Sequence, residues 1–204
     1  MASKQLCLKS FARYMQPPLP NAKAALREEI RTRLKAITPA HRAVESAQLC
    51  ARLSTADIWR GAKAVLLFAP LADEPDLWPI LEYALHEHKL VALPGFDGEV
   101  DGYCARRVNN PSKDLIPGKF GVPEPSSECP TVPLNQLDLI LVPGVAFDSS
   151  RRRLGRGKGF YDRLLPLVSG FKCGVAYDEQ IVAEVPAEPH DVTLNRILTP
   201  TRWV

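Results

Sequence analysis

The run Arg153-Leu154-Gly155-Arg156-Gly157-Lys158-Gly159-Phe160-Tyr161-Asp162 alternates glycines with cations and closes on an aromatic pair and a carboxylate. Glycine tolerates positive φ and lets the backbone approach a bound group closely. Alternate glycines therefore allow successive N–H groups to converge on phosphate oxygens, while Arg156 and Lys158 supply charge. Asp162 could hold a metal ion that neutralises the same phosphates. The spacing is not the G-x-x-x-x-G-K-[ST] of a Walker A loop, nor the G-x-G-x-x-G of a dinucleotide fold. Three readings stay open on the residues alone: a nucleotide-phosphate cradle, a basic patch for nucleic acid, and a structural turn. Arg151, Arg152, Arg153, Arg156, Lys158 and Arg163 face only Asp148 and Asp162 nearby in sequence, so a polyanion patch is reasonable.

Elements around this run must position it. Leu26, Ile30, Leu34 and Ile37 recur at helical spacing, predicting a helix over Lys23 to Ile37 with Lys23, Arg27, Arg31 and Lys35 along another face. Thr38-Pro39 reads as an N-cap followed by Pro at the first helical position, opening a second helix to about Leu53. Ala64–Ala69, Leu90–Leu93, Leu139–Val142 and Cys173–Ala176 are short apolar runs that read as buried strands, with Ile197–Leu198 in a final one. Pro94-Gly95 is expected to close the second of these. Asp76 to His88 reads as a helix, Val100–Val108 as a more exposed strand, and Phe160–Leu167 as the start of another helix. Residues 109–136, rich in proline, read as a long loop over one end of the sheet, in part a lid. Strands alternating with helices predict a parallel-centred α/β sheet. Ligands of such sheets bind beyond the carboxyl ends of strands. Ala69–Glu74 and Pro143–Asp148 both follow strand ends, so Glu74 and the 153–162 run are expected at one cleft.

At 204 residues the chain can bury a full core, and 46% hydrophobic with 24% charged residues is ordinary for a globular protein. A net charge of +3 is mild for a dedicated nucleic-acid binder. The five cysteines, Cys7, Cys50, Cys104, Cys129 and Cys173, have no paired spacing, which predicts reduced thiols and no zinc site. No apolar run is long enough to span a bilayer. Residues 1–20 carry Lys4, Lys9 and Arg13 without an acid and end in Pro17-Pro18-Leu19-Pro20; they read as a flexible extension or as an organelle transit peptide. The remainder, 21–204, reads as one α/β domain in the cytoplasm.

Lys23-x-x-x-Arg27, Asp73-Glu74, Val142-Pro143-Gly144-x-x-Phe147-Asp148, the run Arg153–Asp162 and His190-Asp191 together resemble the 5-formyltetrahydrofolate cyclo-ligase family, in order and spacing, from about residue 21 to 200. The resemblance implies a three-layer α/β domain with a mixed, mainly parallel sheet flanked by helices. It implies ATP and Mg²⁺ as cofactors and 5-formyltetrahydrofolate, in some cases polyglutamylated, as the small-molecule substrate. No membrane or nucleic-acid partner is implied, and a monomer is expected. It places ATP against Lys23, Arg27, Arg153, Leu154, Gly155, Arg156, Gly157, Lys158, Gly159, Phe160 and Tyr161. Folate falls against Ala69, Glu74, Arg156, Gly157, Lys158, Gly159 and Phe160. Arg156, Lys158 and Tyr161 take the catalytic roles, and Asp162 and Asp191 the metal. His190 is expected beside that site. Asn195 stands where the family often has an acid. The rival reading is a non-catalytic relative that binds nucleic acid through residues 151–163.

Overall fold

The computed structural model describes residues 20–97, 102–118, 121–188 and 191–204. The extension expected over residues 1–20 and the expected neighbour His190 therefore lie outside the described residues, save for Pro20 at the head of the first helix.

Helix α1 (Pro20–Lys35) and helix α2 (Pro39–Ser54) form where periodicity predicts them. The Thr38 hydroxyl accepts from the His41 N–H at 3.2 Å, and Pro39 occupies a first-turn position whose missing N–H costs nothing. A short helix α3 (Asp57–Gly61) leads into strand β1 (Ala64–Leu66). Helix α4 (Trp78–His86) starts two residues later than Asp76, whose carboxylate accepts the Trp78 N–H at 2.9 Å.

Strand β2 (Leu90–Asp97) corrects one expectation: it continues through Pro94-Gly95. The last β1 residue in register is Leu66, opposite Ala92, so beyond that point β2 pairs only with β3 (Gly102–Arg107). A proline there loses no ladder bond on the side that β1 has left. The 109–136 segment is likewise more ordered than a loop. It holds a helical turn α5 (Pro111–Asp114) and a hairpin of β4 (Leu115–Pro117) with β5 (Pro123–Pro125).

Strand β6 (Leu139–Val142) is buried along its whole length. After it come β7 (Ala146–Asp148) and β8 (Arg153–Leu154), then helix α6 (Phe160–Leu164), β9 (Phe171–Val175), β10 (Ile181–Val182) and β11 (Arg196–Leu198). The main sheet runs β11-β9-β6-β1-β2-β3, and every pairing is parallel except β2 with β3. The fold is thus α/β with a mainly parallel sheet flanked by helices.

Alternation along the strands divides the core. Val65, Leu139, Leu141, Cys173 and Val175 pack with Leu49, Leu53, Trp59, Leu77, Ile80 and Leu81 of α2 to α4. Leu66, Ile140 and Val142 pack on the opposite face with Leu164, Leu165 and Val168 around α6. A small sheet β10-β7-β8 stands apart, covered by Ile30, Leu34 and Ile37 of the first helical face. That sheet carries the glycine-rich run on its β8 end, and α1 reaches the run by packing on the sheet. Asn195 fits this architecture as a strand clamp: its side-chain oxygen accepts the Lys172 N–H at 2.8 Å, and its own N–H donates to the Lys172 carbonyl at 2.9 Å.

Candidate functional site

A cavity of about 480 Å³ opens beyond the carboxyl ends of β1 and β6 and beside Pro94 of β2, between the glycine-rich run and the turn after β1. Ala69, Glu74, Arg153, Gly155, Arg156, Gly157, Lys158, Gly159, Phe160, Tyr161 and Asp162 all line it. Chain order alone placed Glu74 and this run at one cleft, and the sheet brings them there. The expected lid contributes Val122 and, from β5, Pro123 and Glu124. Pro143-Gly144 lines it from the end of β6, and Pro94, not singled out as lining, from within β2 just beyond the last residue paired with β1.

Glycine is required here for conformation. Gly157 and Gly159 have φ of +91° and +66°, where a side chain is disfavoured, and Gly159 precedes the first turn of α6. Gly144 answers a different need: a Cβ on it would sit 2.6 Å from the Phe147 ring.

Charge at the site is paired in two distinct ways. Arg153 has a side chain only 6% exposed; it bonds the Asp162 carboxylate, donates to the Pro143 carbonyl at 3.3 Å, and lies 5.5 Å from the Tyr161 ring centre. Arg156 instead crosses the cleft to the turn after β1. It donates to Asp73 at 2.6 Å and, through Nε, to Glu74 at 3.0 Å. The other Glu74 oxygen accepts the Leu71 N–H at 3.0 Å, and Tyr177 donates its hydroxyl proton to the Glu74 carbonyl at 3.2 Å. Burial pushes the Glu74 carboxyl above the usual carboxylate range, against the pull of the Leu71 N–H and of Arg156.

Tyr161 has a buried hydroxyl with no hydrogen-bond partner among the described residues. Burial, with Glu74 nearby, raises its proton affinity far above that of an ordinary phenol, so near neutral pH it is a hydrogen-bond donor and not a base. Phe160 meets it edge-on, ring centres 4.7 Å apart.

Lys23, Arg27, Leu154 and Asp191 are not part of the cavity wall. Arg27 donates through Nε to the Gly155 carbonyl at 2.9 Å, supporting the run from behind. Lys23 lies 3.3 Å from both Asp191 and Glu188. The Leu154 side chain is buried in the α1 core. Arg31 and Lys35, on the same basic face, stay exposed, so only the first half of that face serves the run. Asp162 and Asp191 both act on the charge of Arg153. Neither meets a three-residue cage of His, Cys, Asp or Glu among the described residues.

Arg152, the other side of the basic stretch, bonds the buried Asp148 at 2.8 Å and Glu184 at 3.3 Å. Arg152, Arg153 and Arg156 thus each have an acidic partner, which leaves less charge for a polyanion than the sequence suggested.

The sequence profile of the 5-formyltetrahydrofolate cyclo-ligase family matches residues 20–200. A 5-formyltetrahydrofolate cyclo-ligase of Mycolicibacterium smegmatis is 32% identical over 190 residues, covering 91% of this chain and 97% of its own. The enzyme of that name from Escherichia coli K12 is 32% identical over 177 residues, covering 85% and 97%. Among solved structures, the NMR structure of Aquifex aeolicus 5,10-methenyltetrahydrofolate synthetase superposes with a TM-score of 0.80 at 34% identity, covering 89% of this chain and 91% of that one.

Proposed function

Because this chain belongs to the 5-formyltetrahydrofolate cyclo-ligase family, we propose that it converts 5-formyltetrahydrofolate to 5,10-methenyltetrahydrofolate at the expense of ATP. The observation that carries the reading is the Arg156 bridge from the glycine-rich run to Asp73 and Glu74, which joins a phosphate-type cradle to a ring-recognition carboxylate across one cavity.

The chemistry explains why both halves are needed. A formyl oxygen on nitrogen is a poor leaving group. Transfer of the γ-phosphoryl group to it breaks the P–O bond to ADP and makes that oxygen part of a phosphate ester. The N10 lone pair then attacks the formyl carbon. Expulsion of inorganic phosphate with its C–O bond, and loss of the N10 proton, leaves the methenyl bridge. Positioning and charge neutralisation dominate phosphoryl transfer, and a fixed set of donors supplies both.

In this reading Lys158 and the N–H groups of Gly155 to Gly159 hold the phosphates, with Arg27 and Lys23 bracing that segment. Arg156 exchanges its carboxylate partners for the phosphoryl group as it transfers. Tyr161 donates its hydroxyl proton to substrate oxygen. Glu74, with lone pairs to spare after its two bonds, accepts from the pterin amino and ring N–H, beside Ala69 and Phe160. Asp162 fits a hard cation: its carboxylate is 42% exposed on the cavity wall, and Mg²⁺ takes one or two carboxylates with waters and phosphate oxygens. Asp162, with Asp191 behind it, would hold Mg²⁺ there, where it would supply neutralising charge to the phosphates.

Mixing the protein with 5-formyltetrahydrofolate and MgATP tests the proposal directly. The methenyl absorbance should grow in step with ADP release. ATP binding without either product would overturn it.

A further inference from the structure

We propose that His41, Glu45 and Glu179 form a second, structural metal site for a divalent transition ion of the Zn²⁺ class, on the far side of the substrate turn from the cavity. One ligand atom from each of the three lies within 4.8 Å of the others. His41 and Glu45 are one turn apart on α2, with Nε2 to Oε1 at 3.4 Å. Glu179 comes from the short 3₁₀ turn Asp178–Gln180, which packs against α1. Bonds of about 2.0–2.2 Å to a cation put neighbouring donors about 3.4 Å apart in tetrahedral geometry. The His41–Glu45 pair already has that spacing, and Glu179 completes the group from the facing turn.

The second observation is the state of the oxygens. Glu45 is only 8% exposed, yet its Oε2 meets no hydrogen-bond donor among the described residues, and Oε2 of Glu179 is buried in the same condition. A buried carboxylate oxygen with nothing opposite it costs more than almost any other polar defect. No nearby cation bonds either oxygen, and Arg42 acts on Glu45 only across space. Arg42 donates to the carbonyls of Ile37, Leu34 and Ala72 and stacks on Tyr177; Arg202 bonds Asp178; Arg33 bonds Glu29 and the Glu179 carbonyl. Glu179 has no cationic side chain within ion-pairing distance among the described residues. Two carboxylates and an imidazole balance one divalent charge, and the imidazole favours a borderline ion over Mg²⁺.

The position gives the site a purpose. Ser46, next to Glu45, accepts the Asp76 N–H at 3.0 Å and shares a hydrogen bond of 3.3 Å with Tyr177, whose hydroxyl also donates to the Glu74 carbonyl. A cation joining α2 to the turn after Tyr177 would stiffen the support under Glu74. It would act apart from Asp162 and Asp191.

Full-length protein stripped with a chelator and titrated with Zn²⁺ in the absence of nucleotide tests this. At hundredfold excess over Kd the thermal midpoint should rise by about 5–10 °C. Co²⁺ should give visible d–d absorption at one equivalent. His41→Ala, at an exposed position, should fold normally and abolish both signals, and Glu179→Gln should weaken them at least tenfold. No midpoint shift in the parent protein would overturn the proposal. So would signals that survive His41→Ala, as cysteine-bound metal would give, or a shift that Mg²⁺ produces equally well.

Discussion

Two arginines three residues apart in one loop have opposite environments. Arg153 is buried and bonded to a residue of the same segment, Asp162, while Arg156 is 31% exposed and bonded to Asp73 and Glu74 from a remote turn. The first pair folds the loop onto itself and fixes Tyr161 beneath the guanidinium. The second spans the cavity in which the substrates are proposed to meet, so a ligand must compete with it or be completed by it. A buried arginine paired within its own segment is chiefly architectural; a partly exposed one that reaches another segment can exchange partners during a reaction.

Substitution separates the two. Arg153→Ala should lower stability by about 1.5–3 kcal/mol, because it removes a buried cation's hydrogen bonds to Asp162 and Pro143 and its packing on Tyr161, while the Asp162 carboxylate left behind is 42% exposed and screened by water. In a chain of this size that is a fall of roughly 3–12 °C in thermal midpoint, read by calorimetry without substrate. A midpoint within about one degree of the parent would remove the architectural reading. Arg156→Ala should leave the fold in place and reduce kcat/KM on the order of 100-fold, as loss of one preorganised donor to developing charge does. Equal activity would show that the bridge is a resting contact with no part in transfer. Lys158→Ala, exposed at the loop tip, should raise the KM for ATP about tenfold, the worth of one charge-assisted bond, with an unaltered midpoint. An unchanged KM would move phosphate recognition elsewhere on the loop.

The contrast also marks what the amino-acid order reveals. α1 and α2 were legible because Ile30, Leu34 and Ile37 repeat at helical spacing and Thr38-Pro39 is a local start signal. β6 was legible because four apolar residues in a row, bounded by Asp138 and Pro143, suit only a strand buried on both faces. β7, β8 and β10 were not singled out as strands: two or three residues carry no period, and they are held by pairing across the chain. β2 was read too short because Pro94 looks like a stop until one knows that β1 has already ended. The same split holds at the site. The glycine and cation types announce a cradle, and resemblance adds Glu74. That Arg156 is held by Glu74 while Arg153 is held by Asp162 is a property of the folded topology, invisible to spacing. Leu154 shows the converse: it belongs to the signature, but its side chain serves the α1 core.

The smallest effect sharpens the comparison most, because it reads Glu74 through Arg156. Burial raises the Glu74 carboxyl above its ordinary value of 4.5, and Arg156 partly offsets this. A carboxyl raised in the native state binds more protons folded than unfolded. Its contribution is therefore complete below pH 4.5 and is lost as pH rises through the native pKa. Removing Arg156 removes the offset, so in Arg156→Ala the native value should climb further and the loss should extend to higher pH. The midpoint difference between Arg156→Ala and the parent should thus widen from pH 5 towards pH 8, on the order of a few degrees. In the background Glu74→Gln, which cannot ionise at that position, the same difference should be flat with pH. A difference that is equally flat with Glu74 in place would show that the buried carboxylate is insensitive to the arginine, and the cavity bridge would then be a contact without electrostatic consequence.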